Sequence, residues 1–114
     1  MEAAQIDIKP DSTPNSINPK SNAVIPVAIL TTDTFDATTV DPLSVRFGPK
    51  GAKEAHQKGH IANVNKDGGP DLVLHFRTQD TGIQCGQTSA SLTGETFDGD
   101  PIQGSDSIRT VGCK

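Results

Sequence analysis

Between positions 63 and 71 the chain reads Asn63-Val64-Asn65-Lys66-Asp67-Gly68-Gly69-Pro70-Asp71. Oxygen-bearing side chains recur at every second position, a glycine follows the third, and another carboxylate stands two positions beyond Gly69. This alternation suits a hard divalent cation. Calcium takes about six to eight oxygens at roughly 2.3–2.6 Å, and ligands at alternate positions let a short loop wrap around it. In such a loop a glycine permits the sharp turn, and the residue after it offers a backbone carbonyl. The same residues also suit a metal-free hairpin, because Asp67-Gly68 is a strong turn dipeptide.

The run resembles the calcium loop of EF-hands and dockerins, and the D-x-N-x-D-G-x-x-D loops of secreted bacterial β-proteins. That resemblance implies Asn63, Asn65, Asp67 and Asp71 as side-chain ligands of a Ca2+ ion, with Gly69 donating its carbonyl. Two positions depart from the pattern. Asn63 stands where an aspartate is usual, and the twelfth position, normally a bidentate acid, is Leu74. Leu74 lies inside the strand-like run Leu72–Phe76, so a strand replaces the helix that would follow an EF-hand loop. The loop alone supplies about five oxygens, fewer than calcium requires, and water or a distant acid must complete the shell. Glu95, Asp98 and Asp100 are the candidates for that acid. The affinity expected is on the order of 10⁻⁵ to 10⁻³ M, the range of extracellular modules.

Longer runs carry a second resemblance. INPKSNAVIPVAIL, TTVDPLSVRFG, DLVLHFRTQDTG and LTGETFDG, spread over most of the chain, resemble a β-domain of exported bacterial multidomain proteins. The resemblance implies an extracellular or cell-surface location and neighbouring domains of a parent chain as partners. It brings no established activity with it.

Other constellations are weaker. His56, His60 and His75 suggest a three-histidine zinc site with an open position. His56 and His60 have helix-turn spacing, but Lys58 and Gly59 make a stable helix doubtful. His75 sits in an alternating run, facing opposite to Leu74 and Phe76, and is expected on the solvent face or hydrogen-bonded near the oxygen-rich loop. Zinc catalysis is therefore the minor reading. No nucleophile elbow, phosphate loop or dinucleotide fingerprint occurs. Acidic residues in Asp33–Asp41 and Glu95–Asp106 would supply a glycosidase's carboxylate pair by count. Such enzymes work in aromatic-lined clefts on larger scaffolds, however, and this chain has no Trp, no Tyr and four Phe at core-like positions. The expectation is no enzyme. The missing rings also argue against sugar binding by stacking, although Asn63, Lys66 and Arg77 offer polar groups beside the loop.

The elements that must position these residues are short. Eleven Gly and eight Pro are spread along 114 residues, between apolar runs biased toward Val, Ile and Phe. A formal charge of −4 with no cationic run argues against nucleic acid. The longest apolar run, Ala23–Leu30, is too short for a membrane span and is broken by Pro26, which predicts an edge strand or a bulge. No signal peptide follows Met1, so the chain is expected to be one domain, 1–114, excised from a larger exported protein. Its two cysteines, Cys85 and Cys113, form no CxxC pair, and a disulfide tying the last strand to an earlier neighbour is expected. Strands are predicted at Gln5–Lys9, Ala23–Leu30, Ser44–Gly48, Ile61–Val64, Asp71–Arg77, Gln84–Thr93 and Ser107–Val111. Only Glu54–Lys58 suggests a helical turn. The fold class is all-β, an immunoglobulin-like two-sheet sandwich of about seven short strands. The function expected is a non-catalytic, calcium-stabilised structural or adhesion module. A calcium-dependent carbohydrate-binding module with a polysaccharide or cell-surface partner is the second reading, and a small metal-dependent hydrolase the third.

Overall fold

The computed structural model describes residues 2–10, 15–64 and 69–113. Two short strands open the chain, β1 (Glu2–Ala3) and β2 (Gln5–Ile8), followed by β3 (Ser16–Ile17) and the longer β4 (Val24–Leu30). Three brief strands come next: β5 (Arg46–Phe47), β6 (Ala52–Lys53) and β7 (His60–Ala62). Three long ones, β8 (Asp71–Arg77), β9 (Ser89–Glu95) and β10 (Pro101–Ser107), precede β11 (Arg109–Thr110). They assemble into a five-stranded sheet ordered β1-β10-β9-β5-β6, a four-stranded sheet ordered β2-β4-β8-β7, and a small β11-β3 pair. The β1–β10 and β3–β11 pairings are parallel. The all-β sandwich is therefore as expected, with eleven strands among the described residues where about seven were predicted.

The core follows from alternation. In the four-stranded sheet the register sets Ile8 opposite Val27 and Val27 opposite Leu74, and likewise Ile6, Ile29 and Leu72, so that inward rows cross three strands. All six are buried. The five-stranded sheet answers with Phe47, Leu92 and Ile102, each fully buried. Phe47 and Phe76 meet across the interior with ring centroids 5.1 Å apart, each contributing about 1.5–3 kcal/mol through burial.

Pro26 departs from expectation. It lies in β4, which is central between β2 and β8, not at an edge. The strand tolerates it because of which way its neighbours point. His75, opposite Pro26 in the register, directs its N–H to Glu54 Oε2 and its C=O to the N–H of Ala55, both away from β4. Pro26 thus sits at a site where β8 asks nothing of its missing N–H. On the other side β2 has already ended at Ile8, and Lys9, turned by a φ of 51°, gives its N–H to the Pro26 carbonyl.

Strand β10 went unread for a simple reason: Ile102 is its one buried hydrophobe, amid glycine, serine and aspartate. The helical turns also fall elsewhere. Thr78–Thr81 forms one α-turn, while Ala37–Thr39 and Pro42–Ser44 form 3-10 turns whose leading aspartates, Asp36 and Asp41, accept the N–H groups of Thr38 and Leu43. At Glu54–Lys58 no helix forms, because the Glu54 carboxylate takes the His56 N–H and Gln57 adopts a φ of 60°.

The predicted disulfide is present. Cys85 and Cys113 bridge with Cα atoms 5.8 Å apart, joining the segment before β9 to the tail after β11. Both residues are exposed and outside strands, so the bridge ties the segment before β9 to the tail rather than the last strand itself. Closing that loop stabilises the fold by roughly 3–4 kcal/mol. Phe97 is a further correction: at 68% exposure it stands at the tip of the β9–β10 hairpin rather than in the core. Among the described residues no helix is long and apolar enough to cross a membrane.

Candidate functional site

The oxygen-rich run joins β7 to β8 at one end of the four-stranded sheet. Asn65 and Asp67, two of the residues singled out there, lie outside the described residues. Asp71, the first residue of β8, has no exposed surface. Its Oδ1 accepts the N–H of Thr31, just past β4, at 2.9 Å, and its Oδ2 accepts the N–H of Val64, just past β7, at 3.1 Å. Thr31 adds a second clasp, donating its hydroxyl to the Pro70 carbonyl at 2.5 Å and accepting the Ala37 N–H at 2.9 Å. One buried carboxylate thus ties the ends of two strands to the root of the loop. Asn63 is exposed and Gly69 half-buried beside it.

The three additional acids belong to a different surface. Glu95, Asp98 and Asp100 lie on the β9–β10 hairpin of the other sheet, and all are exposed. That hairpin leans on the 36–41 segment, with the Phe97 N–H on the Thr39 carbonyl and the Asp41 N–H on the Glu95 carbonyl. Asp36 shares this surface; the Thr38 hydroxyl and the Thr38 N–H hold its carboxyl below the ordinary carboxylate value. Among the described residues these acids do not close with Asp71 into a group of three ligands within 4.8 Å. The hairpin connects through the five-stranded sheet, whereas Asp71 is enclosed in the four-stranded one.

Where metal-ligating side chains do converge is further along β8. Strand β7 covers the edge of β8 only from Asp71 to Val73. Beyond it, Glu54 forms a bridge with Phe76, and the Ala55 N–H binds the His75 carbonyl at 2.7 Å. The chain leaving β6 therefore crosses from one sheet to the exposed edge of the other. Glu54, 3% exposed, completes that edge with its side chain. Oε2 accepts the His75 N–H at 2.6 Å, and Oε1 accepts the His56 N–H. A carboxylate here does the work of a missing strand.

Two imidazoles face the same carboxylate. His56 Nδ1 lies 3.8 Å from Oε1 and His75 Nδ1 lies 3.9 Å from Oε2. Neither is a hydrogen bond at that distance. His75 Nδ1 is buried and has no hydrogen-bond partner. The ring of His60, which pairs with Val73 across the β7–β8 ladder, stands edge-on to that of His75 at 5.8 Å; His56 does so at 5.7 Å. Gly59 makes this closure possible. A Cβ there would meet Leu72 Cδ1, so glycine lets the 56–60 turn lie against β8 without displacing that side chain.

The histidines that the sequence offers as a weak zinc set are thus gathered, though not by a helix. His75 faces opposite to Leu74 and Phe76, as expected, but its side chain is only 26% exposed and its Nδ1 is buried. Glu54 was missed entirely. Its spacing to His56 is too short to stand out, and its proximity to His75 depends on a strand edge formed by residues 21 positions apart. No family model, no curated protein and no solved structure matches this chain.

Proposed function

We propose that this chain is a non-catalytic accessory module of an exported, extracellular or cell-surface bacterial protein, held in shape by a calcium ion in the Asn63–Asp71 loop. The observation that carries the reading is the buried Asp71 carboxylate. It fixes the loop root against two strands, each oxygen accepting one amide among the described residues. Asn63, Asn65, Asp67 and the Gly69 carbonyl would supply the remaining protein oxygens. The ion would neutralise the loop's acids and stabilise the chain by binding the folded state alone.

The disulfide and the lean, turn-rich sandwich support an oxidising location outside the cell. Exposed Glu95, Asp98 and Asp100 serve better as solvated surface than as ligands of this ion, so water completes its shell. Titration calorimetry on chelator-treated protein tests the reading. A one-to-one event with a dissociation constant on the order of 10⁻⁵ to 10⁻³ M is expected, together with a raised melting temperature. A flat trace at millimolar calcium with an unmoved melting temperature would remove calcium from the account.

A further inference from the structure

We propose that Glu54, His56 and His75 form a second, independent metal site, one that takes a single zinc-class transition-metal ion. The assignment rests on geometry outside the calcium loop, and none of the three residues belongs to that loop.

The donor set is two imidazole nitrogens and one carboxylate, a combination that favours zinc and its neighbours over calcium or magnesium. All three ligand atoms lie within 4.8 Å of one another. Bonds of about 2.0–2.1 Å to a tetrahedral ion would set them roughly 3.3–3.4 Å apart. The observed 3.8 and 3.9 Å separations are therefore about half an ångström wider than a closed site requires. The His56 side chain is 53% exposed, so its ring has room to turn toward Glu54.

Three observations set the cluster apart from a chance meeting of surface histidines. The Glu54 side chain is wholly buried and pinned by two backbone N–H groups, one from each histidine it faces. Those amides play the orienting part that outer-shell partners play in metal sites, and they leave each oxygen a free lone pair. His75 Nδ1 is buried without any partner, an arrangement that costs free energy unless something fills the space beside it. Among the described residues, the basic nitrogens within 4.0 Å of that carboxylate are the two imidazoles. A divalent ion would satisfy the nitrogen and the buried negative charge together. His60, exposed at the rim with its ring 5.8 Å from that of His75, lies outside the three-residue cluster and would have to turn inward to take a fourth position, which water would otherwise fill.

The test is titration of the disulfide-intact protein with Zn2+, and with Co2+ as a spectroscopic probe, with Ca2+ held at saturation. One equivalent should bind, and Co2+ should develop the visible absorption of a four-coordinate nitrogen–oxygen site without thiolate charge transfer, since both cysteines are oxidised. His56→Ala, at an exposed position, should weaken Zn2+ at least tenfold while leaving the far-ultraviolet circular dichroism unchanged. His75→Ala should abolish one-to-one binding. A smaller loss in His60→Ala would assign it the fourth position, whereas no loss would assign that position to water. Zinc binding that survives both His56→Ala and His75→Ala, or that Ca2+ displaces in competition, would overturn the site. Failure of calcium to bind leaves this test intact, because it reads a different set of ligands.

Discussion

Two corners of one strand are each closed by a buried carboxylate, and they use the same device. At the start of β8 the buried Asp71 accepts two backbone N–H groups from separate segments, and near its other end the buried Glu54 does likewise. Asp71 and His75 are four residues apart, about 13 Å along an extended strand. The difference lies in what stands beside each carboxylate. Around Asp71 the sequence places amide and carboxylate oxygens; around Glu54 the fold places imidazoles. Hard oxygens and borderline nitrogens select different cations. A carboxylate that repairs the hydrogen bonding of a sheet edge becomes a metal ligand only through its neighbours, and those neighbours decide which metal.

The largest effects should come from removing either clamp. Asp71→Ala or Glu54→Ala removes a buried carboxylate that accepts two part-buried N–H groups and should cost roughly 3–5 kcal/mol, read by urea unfolding in chelator. Near-equal costs would confirm that both acids are structural before any ion binds. A cost under about 1 kcal/mol at either corner would mean that water replaces the clamp there. Next is the disulfide, remote from both acids in sequence: Cys85→Ser with Cys113→Ser should lose roughly 3–4 kcal/mol without changing affinity for either ion. Altered calcium affinity in that variant would show that the corners are not local.

Gly59→Ala discriminates more finely. Its Cβ would strike Leu72, so a loss of about 1–3 kcal/mol is expected, together with weakened Zn2+ and undisturbed Ca2+. The smallest effect belongs to Asp36, which caps the Ala37–Thr39 turn and belongs to neither carboxylate clamp. Its carboxyl is held below the ordinary value of 3.8 by the Thr38 hydroxyl and amide. The folded pKa is the lower one, so the cap contributes above that ordinary value and is lost as pH falls through the lowered one. Asp36→Asn should slightly flatten the acid limb of the stability profile, and an unchanged limb would show the cap to be silent.

The two corners also differ in how far they can be read without a structure. The Asn63–Asp71 run announces itself because its donors lie close together, β2 and most of β8 were legible because alternation survives in them, and β4 was legible as a continuous apolar run. Strand β10, with Ile102 as its one buried hydrophobe, lacks that signal; its place is set by pairing with β9 from Pro101 to Ser107. Pro26 pointed to an edge because a sequence does not disclose that His75, opposite, turns its hydrogen bonds toward Glu54. That same long-range contact creates the histidine cluster. What misplaced the proline therefore also hid the Glu54–histidine cluster: the edge of β8 is shared between β7 and a crossing segment that no local pattern reveals.

The most direct measurement is an amide NMR titration of chelator-treated protein with Ca2+. Shifts should concentrate at Thr31, Val64, Gly69 and Asp71, saturate at one equivalent, and leave Ala55, His56 and His75 in place. Millimolar Ca2+ that leaves Thr31, Val64 and Asp71 unmoved, or that shifts the Glu54 corner instead, would contradict the claim that the oxygen-rich end of β8 is where calcium binds.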